Sequence, residues 1–339
     1  MRNRKLDLSL PRGIRDIEPE GHALHERIRN AFYEVARLYN FKMMAPAPLE
    51  HLSTLSAKSG QDIAEQIYAF KDKGGRDIGL RFDLTVGLTR YVSSRKDLKP
   101  PIKLACYGGV WRYEEPQYGR YRWFHQWDIE IFGLGGVEAD AEVIDASYRI
   151  LERAGLRDFV FQIGDRRVVE EFITKSLRVA SKDKLIEMMR ALDKVQKKPE
   201  SELFKEYEAK GIKKEELLSL LQFGRLNGPP DKIVDRIDEL HLDSVESLKE
   251  VWDSLRSRGV KDVEFNLSVV RGIDYYTAIV FETLDKKHPE LGSLCSGGRY
   301  DLLPRIFGRP DLPATGAAGG VERIAMSMAE QGFAVSHLV

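Results

Sequence analysis

An α+β fold, with an antiparallel sheet flanked by helices and a helical insertion, is predicted by three features of this 339-residue sequence. Stretches such as Trp123–Phe132 alternate strictly, as strands do, because successive side chains on a strand point to opposite faces. Several of these stretches are joined by short turns and lack the repeated strand and helix spacing of a doubly wound parallel fold. Other segments place apolar residues three and four apart, which supplies helices to cover the sheet.

Composition bounds the rest. The length exceeds the roughly 250–300 residues at which one core tends to split, so a large domain with a smaller one is expected. Charged residues make up 31% and apolar residues 42%, a folded, soluble balance. The 53 basic and 53 acidic side chains cancel, which excludes an overall basic field and confines any nucleic-acid contact to a local patch. The two cysteines, Cys106 and Cys295, each lie in an apolar or glycine-rich run, which argues against a disulfide framework or a cysteine zinc site. With no apolar N-terminal segment and no run of 18 apolar residues, a cytoplasmic protein without a membrane partner is expected.

Taken in order, the chain opens with a basic stretch broken by Pro11 and Gly13, and a helix is expected from Pro19. Its inward positions are Leu24, Ile28, Ala31, Phe32, Val35 and Leu38, and it ends near Asn40. A short strand over Phe41–Ala45 stops at Pro46 and Pro48; this helix and strand suit a dimerisation element as well as an ordinary covering layer. A hairpin follows, turning at Gly74 and Gly75. Its second strand carries Arg81 and Asp83 on one face and runs on to Thr85, which opens a helix with Leu88, Thr89 and Val92.

The stretch Tyr107–Gly133 holds most of the unusual residues. Two strands flank a polar loop, Tyr113–Tyr121, with Arg112 at its entrance and Arg122 at its exit. On the second strand Trp123, His125, Trp127, Ile129 and Ile131 share one face; Phe124, Gln126, Asp128, Glu130 and Phe132 share the other. Arginines here suit a polyanion, and the carboxylates suit an ammonium or imidazolium group. The alternative, a hairpin with a solvated outer face, would more commonly use Thr, Lys and Ser.

A helix over Glu138–Ala154, with Ala141, Ile144, Ser147, Tyr148 and Leu151 inward, leads to a strand at Phe159–Ile163. Residues 167–257 are charged and helical, which divides the chain into a first part (1–166), a helical insertion (167–257) and a last part (258–339). Lys194, Lys197, Lys198, Lys213 and Lys214 suit an RNA backbone or a solvated helix face equally. Strand character returns with Phe265, Leu267 and Val269, then Ile279–Leu284. Near the end, GAAGGVER (316–323) allows close backbone approach and then opens a helix with Val321, Ile324, Ala325 and Met328 buried. Arg323 falls in its first turn, where an anionic ligand is favoured. There is no Walker A sequence, GxGxxG unit, CxxC or HExxH.

These residues resemble the class II aminoacyl-tRNA synthetases, and within them the histidyl-tRNA synthetases. LPRGIRD (10–16) resembles that family's opening, LRFDLT (80–85) its amino-group-binding segment and residues 110–133 class motif 2. RGIDYY (271–276) and SGGRY (296–300) resemble its two histidine-specific motifs, and residues 316–323 class motif 3. The resemblance implies ATP-dependent activation of L-histidine and its transfer to tRNA(His), with ATP and Mg²⁺ and a homodimer built partly on residues 32–50. It implies that Arg112 and Arg271 hold the α-phosphate from opposite sides, Arg323 the γ-phosphate, Arg120 the outer phosphates and Glu114 the adenine. Glu130 and Tyr276, with Tyr275 beside them, would bracket the imidazole; Asp83, Thr85 and Gln126 would receive the α-ammonium. No protein ligand for Mg²⁺ is assigned, and His125 is expected to be a packed core histidine.

Motif 1 matches least, since Pro46 and Pro48 flank Ala47 where one proline is usual. Ala278, Ala317 and Trp123 replace a common glycine, aromatic and glutamine respectively. Relatives continue beyond the point matching Val339 into an anticodon-binding domain, so weak tRNA charging is expected. The alternative is a non-catalytic, histidine-binding regulatory subunit of ATP phosphoribosyltransferase. Such relatives usually lose the catalytic arginine, whereas Arg112, Glu114, Arg120, Arg271 and Arg323 are all present.

Overall fold

The alternating stretch at Trp123–Phe132 becomes the strand around which the sheet is laid out. The computed structural model describes residues 7–57, 65–195, 198–270 and 275–333. Its strands are Lys42–Met43 (β1), Leu49–His51 (β2), Ala69–Lys71 (β3), Asp77–Leu80 (β4), Ile102–Trp111 (β5), Trp123–Phe132 (β6), Phe159–Asp165 (β7), Asn227–Gly228 (β8), Val263–Asn266 (β9), Ile279–Asp285 (β10), Cys295–Arg299 (β11) and Ala314–Gly320 (β12). The main sheet runs β1-β5-β6-β12-β11-β10-β7-β9-β8, and β2-β4-β3 form a small second sheet. Only β1 with β5 and β7 with β9 pair in parallel; the remaining pairs are antiparallel, as the short connections predict.

Helices Pro19–Leu38 (α1), Thr85–Ser94 (α2), Val137–Ala154 (α3) and Val321–Glu330 (α4) cover this sheet. On one face α1, α3 and α4 bury Phe32, Ile144 and Ile324 against Trp127, Ile129 and Ile131. On the other, α2 and the residue before it place Leu84, Leu88 and Val92 over Leu104, Cys106 and Phe132, so the residues of β6 are buried from Gln126 onward. A solvated outer face for this strand is thereby ruled out. Helix α3 ends at Gly155, whose φ of +108° is a conformation that a β-carbon would strain. No helix among the described residues is long and apolar enough to cross a membrane.

Register explains why polar side chains can lie on a buried face. Gln126 is opposite Gly108 and Gly320, Asp128 opposite Cys106 and Ala318, and Glu130 opposite Leu104 and Gly316. Cross-strand partners share a face, so the small residues Gly316, Ala318 and Gly320 of β12 leave a trough along β6. A β-carbon at Gly316 would overlap the Glu130 carboxylate, and one at Gly319, on the opposite face, would overlap the fully buried Trp127 indole. The glycines of GAAGGVER are thus spaced to admit the large side chains of β6.

Several sequence-based expectations shift here. Leu38, expected inward, is exposed, because α1 ends there and Asn40 turns the chain with a φ of 59°. Strand β4 stops at Leu80: the Arg81 N–H turns to Pro48 O (3.0 Å) and its guanidinium donates to Gly109 O (2.8 Å) and Pro46 O (2.6 Å). Arg81 therefore braces two strands to a proline-rich loop, and Asp83 alone of that pair reaches the site. The segment 167–257 is also less separate than its composition implies. Helices Lys182–Lys194, Glu200–Glu208 and Lys214–Gly224 pack together, but β8 joins the main sheet and Glu246–Ser257 packs on α3. Lys194 and Lys198 both pair with Glu206, at 2.7 and 2.8 Å, rather than lying open along one face. Lys197 lies outside the described residues.

Gly319→Ala should lower stability by about 1–3 kcal/mol, the typical cost of overpacking a filled core. Urea unfolding should show a lower midpoint with an unchanged slope, and an unchanged midpoint would mean that Trp127 can move aside without cost.

Candidate active site

Two adjoining cavities open above the polar face of β6. The smaller, about 120 Å³, is lined by Asp83, Thr85, Arg112, Gln126, Glu130, Tyr275, Tyr276, Ser296, Tyr300 and Gly316 to Ala318. The larger, about 290 Å³, is lined among others by Arg112, Glu114, Arg120, Gln126, Ser296, Glu322 and Arg323. Arg112, Gln126, Ser296 and Ala318 line both, so the two spaces meet at the end of β5 and the middle of β6. Ten of the eleven side chains singled out from the sequence line one cavity or both; Arg271 lies outside the described residues.

The smaller cavity is built from the inside outward. Glu130 is 1% exposed, and its Oε2 accepts a short hydrogen bond from the Tyr300 hydroxyl. Burial first, and then the charge of Glu130, push the Tyr300 phenol well above its ordinary pKa, so it remains the donor. Tyr275 lies tilted against Tyr276 with ring centroids 4.1 Å apart and 6.0 Å from Tyr300; burial raises its pKa as well. At the opposite end, Thr85 Oγ1 donates to Asp128 Oδ2 (3.2 Å), and Asp83 Oδ1 accepts the Val86 N–H (3.2 Å) near the start of α2. That helix end favours negative charge. Gln126 Oε1 is buried and accepts no hydrogen bond from the described residues, so an acceptor faces this space. The result is a small pocket rich in acceptors, suited to a ligand that carries N–H groups at both ends.

The larger cavity is cationic along one rim. Arg112 Nε donates to Phe82 O (2.9 Å) and its guanidinium lies 5.1 Å from the Phe124 ring centre, which holds it at the boundary between the cavities. Arg120 reaches Glu114 at 3.3 Å across the polar loop. Arg323 donates to Gly119 O (3.2 Å) and Ser293 O (3.1 Å), tying α4 to both lips of the opening. Planar guanidinium groups on three elements can each address two oxygens of a phosphate chain.

Arg122, which the sequence placed as a second arginine for a polyanion, has a different part. It is 9% exposed, donates to Glu114 O (3.0 Å) and Arg12 O (3.2 Å), and lies 3.9 Å from the Tyr113 ring centre. Its backbone N–H bonds Gly13 O (2.9 Å), so it holds the N-terminal segment against the polar loop. His125 is packed away from both cavities, stacked on Tyr107 and bonded to Glu322. Tyr300 and Ser296 line the site although neither was singled out individually. Their signal was the glycine pair of SGGRY, which lets β11 approach β12 closely and sets its flanking residues over the trough.

Residues 13–324 match the sequence pattern of the family described as Histidyl-tRNA synthetase. The chain belongs to the histidyl-tRNA synthetase family. The Histidine--tRNA ligase of Pyrococcus horikoshii is 38% identical over 320 residues, covering 92% of this chain and 73% of that protein. That of Pyrococcus furiosus is 39% identical over 324 residues, with the same coverage. Among solved structures, histidyl-tRNA synthetase from Nostoc sp. PCC 7120 aligns with a TM-score of 0.84 and 28% identity, covering 97% of this chain and 77% of that one. A Bacillus halodurans protein described as an ATP phosphoribosyltransferase regulatory subunit/histidyl-tRNA synthetase aligns with a TM-score of 0.82 and 27% identity, covering 96% and 84%. The mostly antiparallel sheet with covering helices is therefore the class II synthetase fold expected from the motifs.

Tyr300→Phe should destabilise the chain by about 1–3 kcal/mol, because Glu130 is left buried without that donor. Thermal or urea unfolding measures this, and wild-type stability in the variant would show that the phenol adds nothing to the buried carboxylate.

Proposed function

We propose that this chain is a histidine–tRNA ligase that activates L-histidine with ATP and transfers it to tRNA(His). The observation that carries this reading is Arg112 standing on the boundary of an acceptor-rich, amino-acid-sized cavity and an arginine-rimmed larger one. A carboxylate at the mouth of the first would meet the α-phosphate of a nucleotide in the second. In-line attack forms the mixed anhydride and releases pyrophosphate; a ribose hydroxyl at the tRNA 3′ end then attacks that anhydride and releases AMP. Negative charge gathers on the α-phosphoryl oxygens during activation, and a guanidinium already aimed at that point lowers the barrier.

The linings of the two cavities support the role of each residue and, for Arg271, the match of RGIDYY to the family does. Glu130, held by Tyr300 at the closed end, accepts an imidazole N–H, with Tyr276 and Tyr275 beside the ring. Asp83, Thr85 and the free acceptor of Gln126 receive the α-ammonium. Arg323 and Arg120 hold the outer phosphates, Glu114 faces the adenine end, and Arg271 acts on the α-phosphate opposite Arg112. A site built to bond an imidazole at one end and an ammonium at the other rejects side chains that leave those acceptors unpaired. Mg²⁺ takes one or two carboxylates together with phosphate oxygens. Glu114 and Glu322 are carboxylates that line the larger cavity, and either would hold the ion there. Bound there, Mg²⁺ would offset phosphate charge.

The chain also acts as a homodimer in this proposal. Tyr33, Leu38, Met43 and Leu49 are large apolar side chains exposed on one stretch of sequence, whereas Phe32 just before them is fully buried in the chain's own core. Residues 167–257 serve as an insertion carried on α3 and β9.

Histidine-dependent exchange of labelled pyrophosphate into ATP tests the proposal. Exchange is expected with histidine and with no other amino acid. Histidine binding without exchange would instead favour a regulatory subunit of the kind named for the Bacillus halodurans relative. Arg112→Ala and Arg271→Ala should each cut the exchange rate about a hundredfold or more while changing histidine affinity far less. Glu130→Gln should weaken histidine binding about tenfold to a hundredfold by calorimetry, the scale of a lost charged hydrogen bond. Unaltered histidine affinity in that variant would remove Glu130 from the amino-acid pocket.

A further inference from the structure

At the wall of the larger cavity and behind it, on the helix-covered side of β6, sits a group of side chains to whose two histidines the proposed reaction gives no role. Glu322, at the start of α4, is 4% exposed and has no lysine or arginine partner among the described residues. Its oxygens accept the His125 N–H at 3.0 and 2.9 Å, and Oε1 lies 3.3 Å from His125 Nδ1. His25, from α1, is 5% exposed, and its ring stands edge-on to that of His125 with centroids 5.4 Å apart. Within the described residues its ring nitrogens take part in no hydrogen bond. A buried carboxylate without a cation and a buried imidazole without a partner both lose the stabilisation that water gave them.

One ligand atom from each of His25, His125 and Glu322 lies within 4.8 Å of the other two. We propose that these three side chains form a binding site for a divalent transition cation of the zinc type. Two imidazoles and one carboxylate are a donor set with which zinc keeps a fourth position open. Tetrahedral ligation at about 2.0–2.1 Å sets ligand atoms roughly 3.4 Å apart, so the three side chains would draw together around an ion. Burial, outweighing the opposing charge of Glu322, lowers the His25 pKa to about 4, so its ring is neutral at pH 7 and presents a lone pair. Each carboxylate oxygen retains a lone pair beyond the one given to the His125 N–H. Imidazole donors select against Mg²⁺, so this site is distinct from the ion that accompanies ATP. It also ties α1, β6 and α4 together one residue from Arg323.

The test uses the tag-free whole chain, stripped with chelator and titrated with Zn²⁺ against a chromophoric competitor, then with Co²⁺ as a spectroscopic probe. One equivalent per chain is expected, with visible Co²⁺ bands of a four- or five-coordinate site. His25→Asn should weaken Zn²⁺ binding at least tenfold, whereas His22→Asn, an exposed histidine on the same helix, should leave it unchanged. His125→Gln provides a second ligand variant should the first fail to fold, with circular dichroism as the check. Absence of a stoichiometric Zn²⁺ equivalent in the wild-type chain, or equal affinity in the wild-type and ligand variants, would overturn the proposal. No readout depends on turnover, so its failure and a failure of pyrophosphate exchange are separate results.

Discussion

Everything in the site depends on how β6 is held between β5 and β12. A strand whose buried face carries Gln126, Asp128 and Glu130 is unfavourable unless its neighbours both admit those groups and satisfy them. Gly316, Ala318 and Gly320 on β12 provide the room, because a residue with a larger side chain at any of these places would fill the trough, while Gly108 on β5 makes way for the Arg81 guanidinium. Tyr300, Thr85 and the adjoining backbone provide hydrogen bonds. The acceptors that remain are what a ligand meets, so the same registry that permits the burial also creates the pocket.

The covering helices make this arrangement rigid. Trp127 lies on Gly319 with Phe32 stacked 6.0 Å away, and α3 and α4 close over both. Glu322 then links the first turn of α4 to the backbone of β6 through the His125 N–H. As a result, Arg323 on α4 and Arg112 at the end of β5 keep a set separation across the strand between them. Preorganised charge of this kind needs little rearrangement when a phosphate chain enters, which is where its catalytic value lies.

The loop Tyr113–Tyr121 is organised from outside the sheet. Arg122 turns inward beneath it, and the N-terminal segment packs over it through Gly13, whose φ of +82° suits glycine and whose missing β-carbon avoids Arg122 and Pro116. Of two arginines that look alike in sequence, one faces the cavity and the other braces the loop. Their difference comes from the partners at hand: carbonyls of residues 12 and 114 lie within reach of Arg122, while Phe82 O and the Phe124 ring hold Arg112 at the cavity.

Sequence alone determined the class of fold, the strands at Trp123–Phe132 and Ile279–Leu284, the helices from Pro19, Thr85 and Glu138, and the motifs that mark the family. These are local or periodic features, and burial on one face imposes them on the chain directly. The amino-acid types gathered at the site were legible too, since Asp83, Gln126 and Glu130 on predicted strands and helix ends have few other reasons to be there. What only the tertiary structure decided were contacts between distant segments: Tyr300 against Glu130, Arg122 beneath its loop, Arg81 as a brace, and Glu322 with two histidines behind the cavity. No period or spacing encodes these pairings. They depend on strand order and register, which bring residues 170 or 197 positions apart into hydrogen-bond contact.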